Sequence, residues 1–253
     1  MNSWLQIKKD YYILHHRPSF ENDAQITNEY FDRAVRSLID EFSEHDSSLL
    51  LKDSDCHIYL FSLPTDKARE DCATTTTTYV NNKLSAEIHI LALSAHNPSS
   101  KTNVGEPIDE NYFFKTIVHE YSIIILELLT RKKAKGWTLY GRYGSPDWFH
   151  DGYEEYLSLM LSSKHSKEVT FIKYLNEIKQ NPGRISWNNE IKVHDRYIDG
   201  SVLISFLHDL FGKRKTQAIL RSTKSTFNNA FTETFGIDLY DFYKCCSQRL
   251  PTL

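Results

Sequence analysis

Cysteine is scarce in this chain. The four residues Cys56, Cys72, Cys245 and Cys246 have neither the spacing of a disulfide framework nor a C-x-x-C pair. This excludes a disulfide-stapled secreted scaffold and points to a reducing, cytoplasmic setting. Long apolar runs are also missing: no stretch approaches the ~20 residues of a membrane span. Met1-Asn2-Ser3-Trp4-Leu5-Gln6-Ile7-Lys8-Lys9-Asp10 lacks the apolar core of a signal peptide. No charge of one sign dominates, the formal net charge being −3. Neither nucleic acid nor an anionic membrane is therefore an expected partner. The basic run Arg131-Lys132-Lys133-Ala134-Lys135 fits a helix C-terminus, where cations favour the dipole.

What is present suits a globular protein: 253 residues, 40% hydrophobic and 25% charged, enough for one compact domain or two closely packed subdomains. Residues 11–16 read as a strand ended by Arg17-Pro18, and residues 24–43 show helical spacing through Ile26, Tyr30, Phe31, Ala34, Val35, Leu38, Ile39 and Phe42. Residues 56–61 read as a second strand, 64–70 as a short helix and 87–93 as a third strand. This order implies a small mixed sheet packed on helices. The expected class is α+β, with sheet and helices over 1–110 and a mainly helical part over 111–253, together one compact unit. The threonine tract at 73–80 is rich in β-branched residues and reads as a polar edge strand or a surface loop, without a catalytic group of its own. Residues 94–109 read as a loop. Residues 135–145, with three glycines among Trp137, Tyr140 and Tyr143, form a second loop that either covers a cleft or packs on the core. Helices are expected over 168–179, stopped by Asn181-Pro182-Gly183, and after Tyr197, stopped by Gly212.

Two stretches carry chemistry. Residues 112–126 are an apolar helical pattern interrupted by His119 and Glu120. After Ser145-Pro146, a capped helix start, comes Asp147-Trp148-Phe149-His150-Asp151-Gly152-Tyr153-Glu154-Glu155-Tyr156, in which Asp151 and Glu155 are four apart and share one face. The two stretches suggest one site. In the zinc motif H-E-x-x-H, two histidines one turn apart bind the metal and the Glu acts as general base on its water. Here position 123 is Ile. The pair of stretches resembles the gluzincin metallopeptidases, the thermolysin-like zinc enzymes, whose second helix reads roughly W-[LF]-x-E-G-x-A-E-Y. Residues 148–156 follow that pattern, and the resemblance extends more weakly over most of the chain.

The resemblance implies a thermolysin-like architecture. It makes His119 the first zinc ligand, Glu120 the general base, Asp151 the third ligand in place of Glu, and Glu155 the carboxylate that orients a ligand histidine. It also makes Tyr197 and His194 candidates for binding a developing oxyanion, and the edge strand a place for extended substrate to pair. The catalytic candidates are thus Glu120, His119, Glu155 and Tyr197. The substrate-binding candidates are Asp151, His150, Tyr153, His194 and Thr76. The second ligand histidine falls on Ile123, which coordinates nothing, and Asp151 is one methylene short. His150 lies about 100° round the helix from Asp151 and points elsewhere. No metal is therefore expected; zinc, if present, would rest on His119 and Asp151.

Without a metal, clustered carboxylates beside a histidine have shifted pKa values that suit acid–base work near neutral pH. The first expectation is a repurposed, metal-independent acid–base enzyme of hydrolase-like fold, acting on a peptide-like or small-molecule substrate. The alternatives are a non-catalytic pseudopeptidase that binds a peptide or protein, and an active zinc metallopeptidase with an atypical ligand set. The substrate and the oligomeric state are left open.

Overall fold

Strands β1 (Leu5–Lys8), β2 (Ile13–His16), β3 (Ser54–Phe61), β4 (Thr74–Val80) and β5 (Lys83–Leu91) form one mixed sheet, in the order β1-β2-β3-β5-β4, in a computed structural model. The structure describes residues 4–63, 73–81, 83–96, 108–131, 146–162 and 166–250. It divides into two compact units, Met1–Leu128 and Leu129–Leu253. The α+β class read from the sequence is the class of the structure. The sequence division at 110/111 would part the His119 helix from the sheet, whereas the first unit takes that helix with it as far as Leu128.

In the first unit β2, β3 and β5 run parallel, and β1 and β4 pair antiparallel at the two edges. Helices α1 (Glu21–Glu41), α2 (Ser47–Leu51) and α3 (Glu110–Arg131) complete it. Strand residues alternate between faces, so Leu14, Cys56, Ile58, Leu60, Ala86, Ile88 and Ile90 fall on one side and are buried. On that side Phe31 of α1 meets Tyr121 of α3 edge-on, and Tyr30 meets Phe113 in the same way. Two phenols pin the helices to the start of β2. Tyr12 Oη donates to Asp32 Oδ1 at 2.8 Å, and Tyr121 Oη donates to the Tyr11 carbonyl at 3.1 Å. Each large apolar side chain buried here contributes roughly 1.5–3 kcal/mol.

The threonine tract takes the edge-strand form. Thr75, Thr77 and Tyr79 are half-buried, and Thr76, Thr78 and Val80 are exposed. The third strand starts earlier than expected, at Lys83, and ends at Leu91, after which residues 93–95 make a 3-10 turn. β1 has no clear signal, being four residues long and mostly exposed. The helix expected over 64–70, the loop over 135–145 and most of the basic run after Arg131 lie outside the described residues.

The second unit is helical apart from one hairpin. It comprises α4 (Asp147–Leu161), α5 (Phe171–Gln180) after a wide π-helical turn at Ser166–Thr170, strands β6 (Ile185–Trp187) and β7 (Ile191–Val193), then α6 (Ile198–Phe211), α7 (Lys213–Ala218), α8 (Phe227–Phe235) and α9 (Leu239–Arg249). The hairpin strands, three residues each, were not anticipated. α4 and α6 touch backbone to backbone at Gly152 and Gly200: a Cβ on Gly152 would lie 2.3 Å from the Gly200 carbonyl carbon. Trp148, Phe149, Phe227, Phe231 and Phe242 form a buried ring cluster. The stop signal expected at Gly212 acts as read, and Gly236 ends its helix in a similar way. Gly212 and Gly236 close α6 and α8 at φ +80° and +79°, and each donates its N–H to the carbonyl four residues back. α4 starts differently: its N-cap is Pro146, which offers no side-chain acceptor, and Ser145 lies outside the described residues. Among the described residues no helix is long and apolar enough to cross a membrane.

Candidate functional site

The candidate residues fall in both units. In the first, α3 buries Phe113, Phe114, Ile117, Val118, Tyr121, Ile124, Ile125 and Leu126, so it is apolar nearly all round, as a helix sunk in a core is. His119 is half-buried in it and Glu120 is buried. A carboxylate in such a place needs a donor. Thr75 of β4 supplies it: its hydroxyl donates to Glu120 Oε2 at 2.6 Å and contacts the Glu120 carbonyl at 3.3 Å. Burial raises the Glu120 pKa above the ordinary carboxyl value, opposed by the neighbouring His119 and by the bonds from Thr75. One turn beyond His119, Ile123 presents only an aliphatic side chain, itself buried. Thr76 points the other way. Its ladder partner is Glu87, on the opposite face of the sheet, whereas Thr75 lies opposite Ile88 on the helix face.

In the second unit Asp151, in the first turns of α4, is held by a cation. Arg196 Nε lies 2.8 Å from Asp151 Oδ2. The same guanidinium donates from Nη2 to Tyr197 Oη at 3.2 Å and sits 5.1 Å from the Tyr197 ring centre. Burial, followed by the Asp151 charge, pushes the Tyr197 pKa up to about 12, so the phenol keeps its proton. Asp199, wholly buried, fixes the segment that presents Arg196 and Tyr197. Its Oδ1 accepts from Arg184 Nε at 2.8 Å, and its Oδ2 accepts from the backbone N–H groups of His194 at 3.0 Å and Asp195 at 2.8 Å. Asp195 Oδ1 then accepts from the N–H groups of Tyr197 and Ile198.

The other candidates are placed as follows. Glu155 is buried and accepts from Tyr174 Oη at 2.9 Å and from Ser158 Oγ at 3.3 Å, which engages both its oxygens within its own unit. His150 is buried with its ring edge-on to Phe149. Tyr153 is fully buried among Phe149, Tyr156 and His208. The His194 side chain is exposed. The structure therefore joins Asp151 with Tyr197, through Arg196, and Glu120 with Thr75. Arg196 and Thr75 were not among the candidates. Arg196 sits beside Tyr197 in a segment without a recognisable motif, and a run of identical threonines does not reveal which of them faces the helix.

A catalytic zinc takes about three protein ligands and leaves one position open. At the ligand positions implied by the resemblance, Ile123 has no donor atom and the Asp151 carboxylate is neutralised by Arg196. Among the described residues no group of three or more His, Cys, Asp or Glu side chains is arranged to hold a metal ion. Among the described residues, the positions that the resemblance names thus fall short of the three ligands of a catalytic zinc. The chain matches no family model and no curated protein.

Proposed function

We propose that this chain is a gluzincin-like protein that works without zinc, as an acid–base enzyme on a peptide-like or small-molecule substrate. The observation that carries it is the bond from Thr75 to Glu120. It ties a buried carboxyl of raised pKa to the strand at the edge of the sheet order, the place where an extended peptide would pair. A carboxyl whose pKa is raised by burial accepts and returns protons closer to neutral pH, which is what a general base requires. Thr75 fixes its orientation. The second unit has, by itself, a phenol that keeps its proton, Tyr197, beside the fixed positive charge of Arg196. The buried free thiols of Cys56 and Cys246, whose pKa values are raised by burial, suit a reducing, cytoplasmic setting.

A second reading, a pseudopeptidase that binds an extended peptide without turning it over, is favoured by the engagement of Glu155 by Tyr174 and Ser158. One set of measurements separates these. The purified chain, dialysed with excess zinc, should retain well below one zinc per chain, with Ile123→His as the variant that regains a histidine one turn from His119. Turnover of a peptide library should ignore chelator and fall by ~10²–10⁴-fold in Glu120→Gln. Peptide binding without turnover selects the second reading. Stoichiometric zinc with chelator-sensitive turnover overturns both.

A further inference from the structure

The sheet face turned away from α1 and α3 carries a chain of polar groups unrelated to the proposed chemistry. His15 of β2 and His57 of β3 meet with Nε2 and Nδ1 2.8 Å apart. Their ring centres are 5.1 Å apart and their planes differ by 23°. The centre spacing is the nitrogen spacing plus one ring width, so the rings meet edge to edge, as an N–H···N hydrogen bond requires. At the far ends, Gln6 Nε2 of β1 lies 3.5 Å from His15 Nδ1, and His57 Nε2 lies 3.4 Å from Asp55 Oδ1. Tyr59 stacks on His15 at 4.6 Å.

One assignment of protons satisfies every member. With both imidazoles neutral, Gln6 donates to His15, His15 Nε2–H donates to His57, and His57 Nε2 carries its proton on the side that faces the Asp55 carboxylate, 3.4 Å away. Adding one proton makes His57 an imidazolium that donates to Asp55 and to His15. His15 then carries its proton on Nδ1, and Gln6 must turn its amide to offer Oε1. A second proton cannot be placed without setting N–H against N–H and cation against cation. The other titratable groups of this face, among the described residues, are Lys8 on β1, Tyr59 on β3, and Lys83, Glu87 and His89 on β5. β4 presents Thr74, Thr76 and Thr78. Arg17 lies over Trp4, which is edge-on to Tyr59. Glu87 and His89 pair with each other at 3.2 Å. Burial, and then the charge on His57, lower the His15 pKa, while Glu87 opposes them.

We propose that Gln6, His15, His57 and Asp55 form a proton-operated switch: one added proton reverses the direction of the chain, and a second parts His15 from His57. The parting loosens the β1–β2–β3 edge of the sheet.

The test is a titration of the imidazole nitrogens by NMR from about pH 8 to pH 4, on the full chain. The pair should titrate in two steps separated by roughly one to two pH units, with His15 Nδ1 gaining its proton in the first. His57→Gln should leave His15 a single step at a pH above its wild-type second step. Asp55→Asn should move the first step down by about half to one unit. The Gln6 side-chain amide signal should shift with the first step in the wild type, and Gln6→Ala, a change at the edge strand, should leave two imidazole steps. Independent titration of His15 and His57, with the same midpoints in the wild type and in the variants, would overturn the proposal. So would an unchanged His15 Nδ1 through the first step, which needs no variant to fold.

Discussion

Thr75 and Glu120 lie 45 residues apart and are joined by a 2.6 Å hydrogen bond, which ties the edge strand of the sheet to the helix that carries the candidate base. The donor keeps a buried carboxylate in the fold, and burial still leaves the Glu120 pKa raised.

The stability of the chain should therefore depend on pH through Glu120. A carboxyl whose folded pKa lies above its unfolded value binds more protons when folded. Stability then falls as pH rises from about 4.5 through the folded pKa. Denaturant unfolding at several pH values should show this slope in the wild type and lose it in Glu120→Gln, which should gain most at neutral pH. Thr75→Val should cost roughly 1–3 kcal/mol at neutral pH, since it leaves a buried acceptor without its donor. In a Thr75→Val, Glu120→Gln double variant the loss should be smaller than that figure.

Asp199 is the anchor of the Arg196–Tyr197 segment. Its charge is buried and shared between Arg184 and two backbone N–H groups. Asp199→Ala should destabilise the chain by roughly 3–5 kcal/mol, because it leaves the Arg184 guanidinium only the longer 3.7 Å pairing with Glu177 and two backbone N–H groups without their acceptor. Asp199→Asn, which keeps the shape, should cost less. Thermal melts of the two variants check the order, and equal losses would show that charge is not what Arg184 requires.

Gly152 is required by contact, since its backbone touches that of Gly200. Gly152→Ala gains about 1 kcal/mol of helix propensity. It must also push α4 from α6, which costs typically 1–3 kcal/mol and more where backbone is the obstacle. The melting temperature should fall; a rise would mean that the helices separate freely.

His208 sets an acid limit. Burial, with Lys213 adding to it, lowers its pKa from 6.5 to about 4. The unfolded chain therefore binds the proton first, so stability is lost as pH falls from about 6.5 to 4 and not beyond. This single group accounts for about 3 kcal/mol of that loss. His208→Phe, which keeps a ring against Tyr153 and Tyr156, should flatten the stability profile in that window. A slope unchanged in the variant would assign the acid loss to other groups.

Local order fixed much of this protein in its sequence. Helical spacing over 24–43 gave α1, and Gly212 and Gly236 ended their helices because only a left-handed residue closes them cheaply. The β-branched tract formed a strand, and the strand–helix–strand order gave a mixed sheet. Tertiary structure decided the rest. Which threonine faces Glu120 depends on the ladder register between β4 and β5, and identical residues cannot encode it. Arg196 reaches Asp151 because Asp199 folds the segment before α6, a contact across 45 residues of sequence. His15 and His57 meet because parallel pairing sets β2 beside β3, although 42 residues separate them. Periodicity and turn chemistry act over a few residues and can be read along the chain. The partners of buried charges are chosen by packing, which the chain determines only when it is folded.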